Sequence, residues 1–260
     1  MEFRPCIDIH NGKVKQIVGS SLRDAGDAAS ENFVSSFSAG DYARMFRRDG
    51  LTGGHVILLN PASSPYYEAT RKQAEEALMA YPGGLQVGGG IRADNAMDFL
   101  RAGASHVIVT SYVFFGGTIC MENLAKLVSA VGREHLVLDL SCRKKEDGKY
   151  YVCTDRWQKF TDTVAEPELF RRLSAYCSEF LVHGIDVEGK GGGFDGELVE
   201  LLADVDGIPV TYAGGIRSLE DLERLRLLGK DRVNGTVGSA LDLYGGDLAY
   251  KDVVEFCRHS

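Results

Sequence analysis

Two stretches of the chain decide its fold: LQVGGGIRADNAMDFLRAGASHVIVTS (Leu85–Ser111) and VTYAGGIRSLEDLERLRLLGKDRVNGTVGS (Val210–Ser239). Both run in the same order. A short apolar, β-branched segment leads into GGIR, then a segment of helical periodicity ending near a glycine, a second apolar segment, and a turn of small residues. Gly90 and Gly215 are equivalent in the two copies and stand about half of the 260-residue chain apart. A strand–helix–strand unit recurring at that spacing points to an internally duplicated α/β architecture with parallel strands.

The same alternation extends outward from these copies. Strands are expected at Arg4–Ile9, His55–Leu59, Leu85–Val87, His106–Thr110, His135–Leu140, Phe180–His183, Pro209–Tyr212 and Arg232–Thr236. Helices are expected at Ala39–Arg48, Tyr67–Ala80, Ala93–Ala102, Met121–Val131, Glu166–Cys177, Gly196–Ala203, Leu219–Leu228 and Leu248–Cys257. The strands read as near-continuous apolar runs, as expected of a parallel sheet covered by helices. Eight such units predict a (β/α)8 TIM barrel, class α/β, with a two-fold half-barrel repeat. The expected organisation is one domain over residues 1–260, with halves of about 1–130 and 131–260.

Composition suits this reading. Apolar residues make up 44% and charged residues 25%, ordinary for a globular protein with a sizeable core. A net charge of −8 argues against nucleic acid or an anionic membrane as partner. No stretch approaches the ~20 apolar residues needed to span a bilayer, and the start, MEFRPCIDIHNGK, does not read as a secretory leader. The six cysteines form no CxxC pair and read as reduced thiols of a cytoplasmic protein. The six histidines show no metal-ligand spacing, so no metal site is expected.

Chemistry is expected where strands end, because the C-terminal face of a barrel carries its active site. In Gly88–Arg92 and Ala213–Arg217, glycines close a strand and open a helix. Such a turn lets backbone approach a ligand, and the helix start offers unpaired N–H groups and a positive dipole end. Gly89 and Gly90 with Thr110 and Ser111 form one candidate phosphate site; Gly214 and Gly215 with Gly238 and Ser239 form the other. A lone glycine pair could be a tight turn only; two matched copies favour a small-molecule ligand phosphorylated at both ends. Arg92 and Arg217 read either as phosphate ligands or as structural ion-pair partners.

Asp8 and Asp139 end the equivalent first and fifth strands, on opposite sides of the barrel. Paired carboxylates at a barrel mouth can divide the roles of general acid and general base; the residues alone do not say which takes which. Glu188 is a third carboxylate after the sixth strand, and His183 there is a candidate donor or a satisfied strand-end histidine. Three long loops follow strands: Asn11–Ser38, Ser141–Ala165 and the glycine-rich Glu188–Asp195. Within the second, KKEDGKYYV predicts a hairpin through Asp147-Gly148. Trp157 in that loop either stacks on a flat heterocycle or forms the loop's small core. Arg143 and Lys144 are candidate ligands for a phosphate or polar ring substituent, with solvated charge the favoured reading of Lys144.

Taken together, PCIDIHNGKVKQIVG, GGGIR, the aspartate of VLDLS, HGIDVEGKGGGFD, AGGIR and GTVGSAL resemble one family along essentially the whole chain. It is the barrel isomerase of histidine biosynthesis, phosphoribosylformimino-aminoimidazole carboxamide ribotide isomerase. The resemblance implies an Amadori rearrangement of an N-linked aminoaldose to an aminoketose, with one phosphate on each sugar and no metal or organic cofactor. It implies Asp8 as base and Asp139 as acid. No nucleic-acid or membrane partner is expected, and the chain is expected to act as a monomer.

The chain departs from the bacterial pattern at Leu58-Leu59-Asn60-Pro61-Ala62, where an Asp-containing stretch is usual, and at His183 and Glu188, where Thr and Asp are usual. These changes are similar to the eukaryotic branch. The competing reading is the sister cyclase of imidazole glycerol phosphate synthase, whose first loop SLRDAGD (Ser21–Asp27) resembles. That enzyme carries a lysine eight residues after its first aspartate; here the position is Gln16. A non-catalytic barrel that only binds sugar phosphates is the remaining alternative, and two carboxylates facing an anionic ligand argue against it.

Overall fold

A computed structural model of the protein describes residues 1–17, 31–154, 159–187 and 193–258. Eight parallel strands follow the chain around a barrel: β1 (Cys6–His10), β2 (Gly54–Leu58), β3 (Leu85–Gly88), β4 (Val107–Val109), β5 (Leu136–Asp139), β6 (Glu179–His183), β7 (Val210–Ala213) and β8 (Val233–Thr236). Each pairs in parallel with the next in sequence. Closure comes from the residues before β1. Phe3 bridges Gly235 in parallel, with Arg4 N–H donating to Gly235 O at 2.9 Å and Gly235 N–H donating to Glu2 O at 3.0 Å. The expected closed barrel is therefore observed.

Alternation along each strand separates two cores. Ile7, Ile9, Val56, Leu58, Val87, Val107, Leu138, Phe180, Val182 and Tyr212 join helix residues such as Ala43, Phe46, Ala77 and Phe99 in one buried cluster. Ile108, Val137, Leu181 and Ala213, with Ile57 against them, form a separate cluster inside the barrel. The interior also holds a buried carboxylate. Glu179 accepts from Gln86 Nε2 at 2.8 Å and from Thr211 Oγ1 at 2.7 Å, the partners a buried charge needs.

The helices are α1 (Ala39–Arg48), α2 (Tyr67–Ala80), α3 (Ala96–Arg101), α4 (Met121–Val131), α5 (Pro167–Leu173), α6 (Gly196–Ala203), α7 (Leu219–Leu228) and α8 (Tyr250–Arg258). Side-chain caps start three of them: Ser38 in a capping box with Asp41, Asp195 on Leu198 N–H, and Ser218 on Asp221 N–H. Three differ from expectation. The α3 start moves to Ala96 because Asn95 caps the preceding turn, accepting from Arg92 N–H at 2.8 Å and donating to Gly90 O at 3.1 Å. The α5 helix stops at Leu173, with a turn reaching Cys177, and α8 runs from Tyr250 to Arg258.

The two long loops described in part are themselves β-structure. After β1, Lys13–Ile17 turns back antiparallel on β1 and pairs in turn with Glu31–Val34. The reversal is at Asn11-Gly12, both at positive φ (51° and 71°), which this pair tolerates. After β5, Cys142–Lys144, Tyr150–Thr154 and Lys159–Val164 form a three-stranded antiparallel sheet. Its first reversal contains the expected Asp147-Gly148, with Gly148 at φ 78°. No helix among the described residues is long and apolar enough to cross a membrane.

Candidate active site

The two glycine turns have matching backbones. Gly89 and Gly214 lie at φ 100° and 127°, Gly90 and Gly215 at 70° and 73°, so each turn repeats a conformation that side chains rarely adopt. Their surroundings differ. A Cβ on Gly89 would stand 2.1 Å from Leu58 O and one on Gly215 would stand 2.2 Å from Gly193 O, whereas one on Gly90 would meet open space. That open side belongs to a cavity of about 920 Å³, lined among others by Gly89, Gly90, Arg92, Thr110, Ser111 and Asp139. The cavity thus joins the first-half glycine turn to one of the two aspartates.

Asp139, at the end of β5, is held on both oxygens. Thr110 Oγ1 donates to its Oδ2 at 3.1 Å and Ser141 Oγ to its Oδ1 at 3.1 Å, while His183 Nδ1 lies 3.2 Å from Oδ1. Asp8 sits in the corresponding register of the other half: it lies opposite Ile57 on β2, as Asp139 lies opposite Leu181 on β6. Gln16 reaches it from the antiparallel strand after β1, Nε2 to Oδ2 at 3.4 Å. Strands one and five of eight place the two carboxyl groups across the barrel from each other.

The arginines are paired with acids. Arg92 Nε lies 3.6 Å from Asp94, with its guanidinium 5.8 Å from the Tyr112 ring centre; Arg217 Nε lies 3.4 Å from Asp221. Arg143 Nε lies 3.0 Å from Asp186, its guanidinium over Phe160, and Lys144 contacts Glu197. Gly238 and Ser239 follow β8, and Gly238 is close against Gln16: a Cβ there would stand 3.0 Å from Gln16 Oε1. Trp157 and Glu188 lie outside the described residues. None of the six cysteines is in a disulfide; burial pushes the Cys153 thiol on the cavity wall up to about 11. No group of His, Cys, Asp and Glu among the described residues could hold a metal ion.

Several polar residues of the site escaped the sequence reading. His55 on β2 is 4% exposed and its ring centre stands 6.4 Å from that of His183. Burial, with the nearby His183, lowers it to about 3, against an opposing pull from Asp139, so its imidazole is neutral. Thr236, buried at the end of β8, has a hydroxyl with no hydrogen-bond partner among the described residues. Asn60, in the stretch that departs from the bacterial pattern, is 3% exposed. It donates to Asn11 Oδ1 at 2.7 Å and accepts from Asn11 N–H at 2.8 Å and Thr70 Oγ1 at 2.6 Å. It therefore ties the turn after β1 to α2. Inward parity on the strand was the available signal for His55 and Thr236.

Eight parallel strands, matched glycine turns and carboxyl groups at the mouth define a (β/α)8-barrel enzyme. The chain matches the model described as "Histidine biosynthesis protein" over residues 2–248 and belongs to that family. It is 57% identical over 258 residues to the chloroplastic 1-(5-phosphoribosyl)-5-((5-phosphoribosylamino)methylideneamino) imidazole-4-carboxamide isomerase of Medicago truncatula, covering 98% of this chain and 81% of the relative. Relatives with the same isomerase name are 44% identical in Neurospora crassa, over 98% of each chain, and 41% identical in Saccharomyces cerevisiae, over 95% of this chain and 94% of the relative.

Proposed function

We propose that the protein catalyses the Amadori rearrangement of the bis-phosphorylated aminoaldose ribotide to its aminoketose, a step of histidine biosynthesis. The observation that carries this reading is the equivalent register of Asp8 and Asp139, on opposite strands between two glycine turns of matching backbone. One phosphate would meet the backbone of Gly89-Gly90 with Thr110 and Ser111. The other would meet Gly214-Gly215 with Gly238 and Ser239, close to the Thr236 hydroxyl, which has no hydrogen-bond partner among the described residues. The reacting ribose then lies between the aspartates.

The rearrangement opens the ring and shifts oxidation level from C1′ to C2′ within the substrate, so proton transfers suffice and no outside oxidant or reductant is needed. Asp139 delivers one to the ring oxygen as the C1′–O bond breaks and the nitrogen lone pair forms C1′=N. Asp8 then takes the C2′ proton, giving an enolamine that collapses to the ketose. Arg143, Arg92, Trp157 and Glu188 remain candidates for holding the heterocycle and phosphates, while His183 faces Asp139. The neutral amide of Gln16 beside Asp8 favours this reading over the sister cyclase. We assign the working form as a cytoplasmic monomer; the chloroplastic relative makes imaging of the tagged protein the check on compartment, and sedimentation the check on assembly.

The test is turnover of the purified aminoaldose ribotide without ammonia or glutamine. Ketose formation is the expected result. Turnover of only the ketose, and only with ammonia, means a cyclase; tight binding without turnover means a binding protein.

A further inference from the structure

The groups around Asp139 leave open where its proton comes from. Thr110 and Ser141 donate to its two oxygens, 3.1 Å each, and neither alcohol hydroxyl is an acid that supplies a proton near neutral pH. An acid catalyst in that setting draws on a neighbour. His183 is that neighbour: its Nδ1 lies 3.2 Å from Oδ1, and both side chains are 14% exposed. Among ordinary side chains, imidazole alone exchanges a proton near neutral pH.

We propose that His183 and Asp139 share one proton, and that this proton is the one delivered to the substrate's ring oxygen. The inference rests on the isomerase reading above. His183 acts through Asp139 and is a positioning and proton-sharing residue. Within the pair, the proton lies on Nδ1 as imidazolium–carboxylate or on Oδ1 as imidazole–carboxylic acid, and the two titrate as a unit. When the ring opens, the pair loses its proton to the ring oxygen, which becomes a hydroxyl. Asp8 takes the C2′ proton and returns it to C1′. The pair regains a proton from the C2′ hydroxyl as that carbon becomes the ketone, so the pair is again protonated, Asp8 is again ionised and atoms balance.

The surroundings fit one shared charge. Among the titratable groups facing His183 are Asp139 on β5 and His55 on β2; Cys142 and Tyr212 flank the adjoining Gly184, and Lys159 lines the cavity on which Asp139 opens. Glu179, at the other end of β6, is engaged by Gln86 and Thr211. His55 is neutral, so no second imidazolium opposes protonation of His183. A paired histidine supplies the carboxyl group with a proton that an aspartate side chain does not ordinarily carry near neutral pH.

The test is H183N, whose amide can donate to Asp139 from about where Nδ1 stands but holds no exchangeable acid proton. Relative to wild type at pH 7.5, kcat is expected to fall by roughly 30-fold or more with KM nearly unchanged. The basic limb of the kcat profile moves to lower pH, so the two enzymes converge toward pH 5. A profile parallel to wild type, or a loss carried by KM, overturns the proposal. An inactive wild type would instead defeat the isomerase reading. A second measurement needs no turnover: the His183 ring is titrated by NMR in the ligand-free full-length protein. Its midpoint should drop by about one pH unit or more in D139N; an unchanged midpoint overturns the pairing.

Discussion

Gln16 directs its side-chain amide at Asp8, Nε2 to Oδ2 at 3.4 Å, while its Oε1 faces the Gly238 turn that follows β8. One residue on an antiparallel strand thus touches both the proposed base and the edge of the second proposed phosphate site. The other half holds its aspartate differently, by two hydroxyls and an imidazole. The halves repeat backbone and register but not the partners of the carboxyl groups.

An amide orients Asp8 without neutralising it. Replacing it by lysine, Q16K, places a cation beside the carboxylate, which favours the ionised form and weakens it as a base. Steady-state kinetics should show kcat reduced by roughly tenfold or more and the acidic limb of the profile moved to lower pH. An unchanged kcat would show that the contact has no bearing on the reaction.

The glycines should separate by stability and by binding. G215A drives a Cβ into Gly193 O at 2.2 Å, and G89A drives one into Leu58 O at 2.1 Å. Either should cost about 2 kcal/mol or more in urea unfolding, through strain and backbone displacement. G90A meets no atom and carries only the strain of a positive φ, roughly 1 kcal/mol. Its methyl group projects into the cavity, so its main effect should be a raised KM. Equal destabilisation by all three variants would contradict this division.

Much of this was legible because the informative signals were local. Helices α1, α2, α4, α6 and α7 appear with the expected ends, where apolar periodicity and caps such as Ser38 and Ser218 coincide. Asp8, Asp139 and the glycine turns stood out because the duplication displayed each twice. The antiparallel strands over the mouth did not, apart from the Asp147-Gly148 reversal, because their pairing is made between distant short segments. Asn11-Gly12 was a readable turn signal for the first of them. The contact of His183 with Asp139 joins residues from different strands and has no sequence spacing to betray it.

Acid should weaken the fold in a way traceable to His55. Its folded value, about 3 against 6.5 in the unfolded chain, means that the unfolded state binds the proton first as pH falls. The contribution is whole above about pH 6.5 and is lost progressively toward pH 3, at ~1.4 kcal/mol per unit. Urea unfolding should therefore show about 2 kcal/mol lost from this residue between pH 6.5 and pH 5. His106 is shifted in the same direction by burial and adds to the loss in any variant that keeps it. H55Q should flatten the slope; an unaltered slope would contradict the assignment.

Asn60 should prove structural. Its side chain links Asn11 and Thr70 from a position 3% exposed. N60A leaves the Asn11 amide and the buried Thr70 hydroxyl short of a partner, at a cost of about 2 kcal/mol. Thermal unfolding should register this, and kcat should fall only as far as the Asn11-Gly12 turn, and with it Gln16, loosens. Normal stability with lost turnover would instead place Asn60 in the chemistry.

The central claim is that Asp8 and Asp139 carry the proton transfers. D8N and D139N keep size and shape and remove the acid–base function at each position. With the purified aminoaldose ribotide, kcat of each should fall by roughly 10²-fold or more. The dissociation constant for the ribotide, measured by calorimetry, should stay within a few-fold of wild type. Near-normal turnover by either variant would contradict the account.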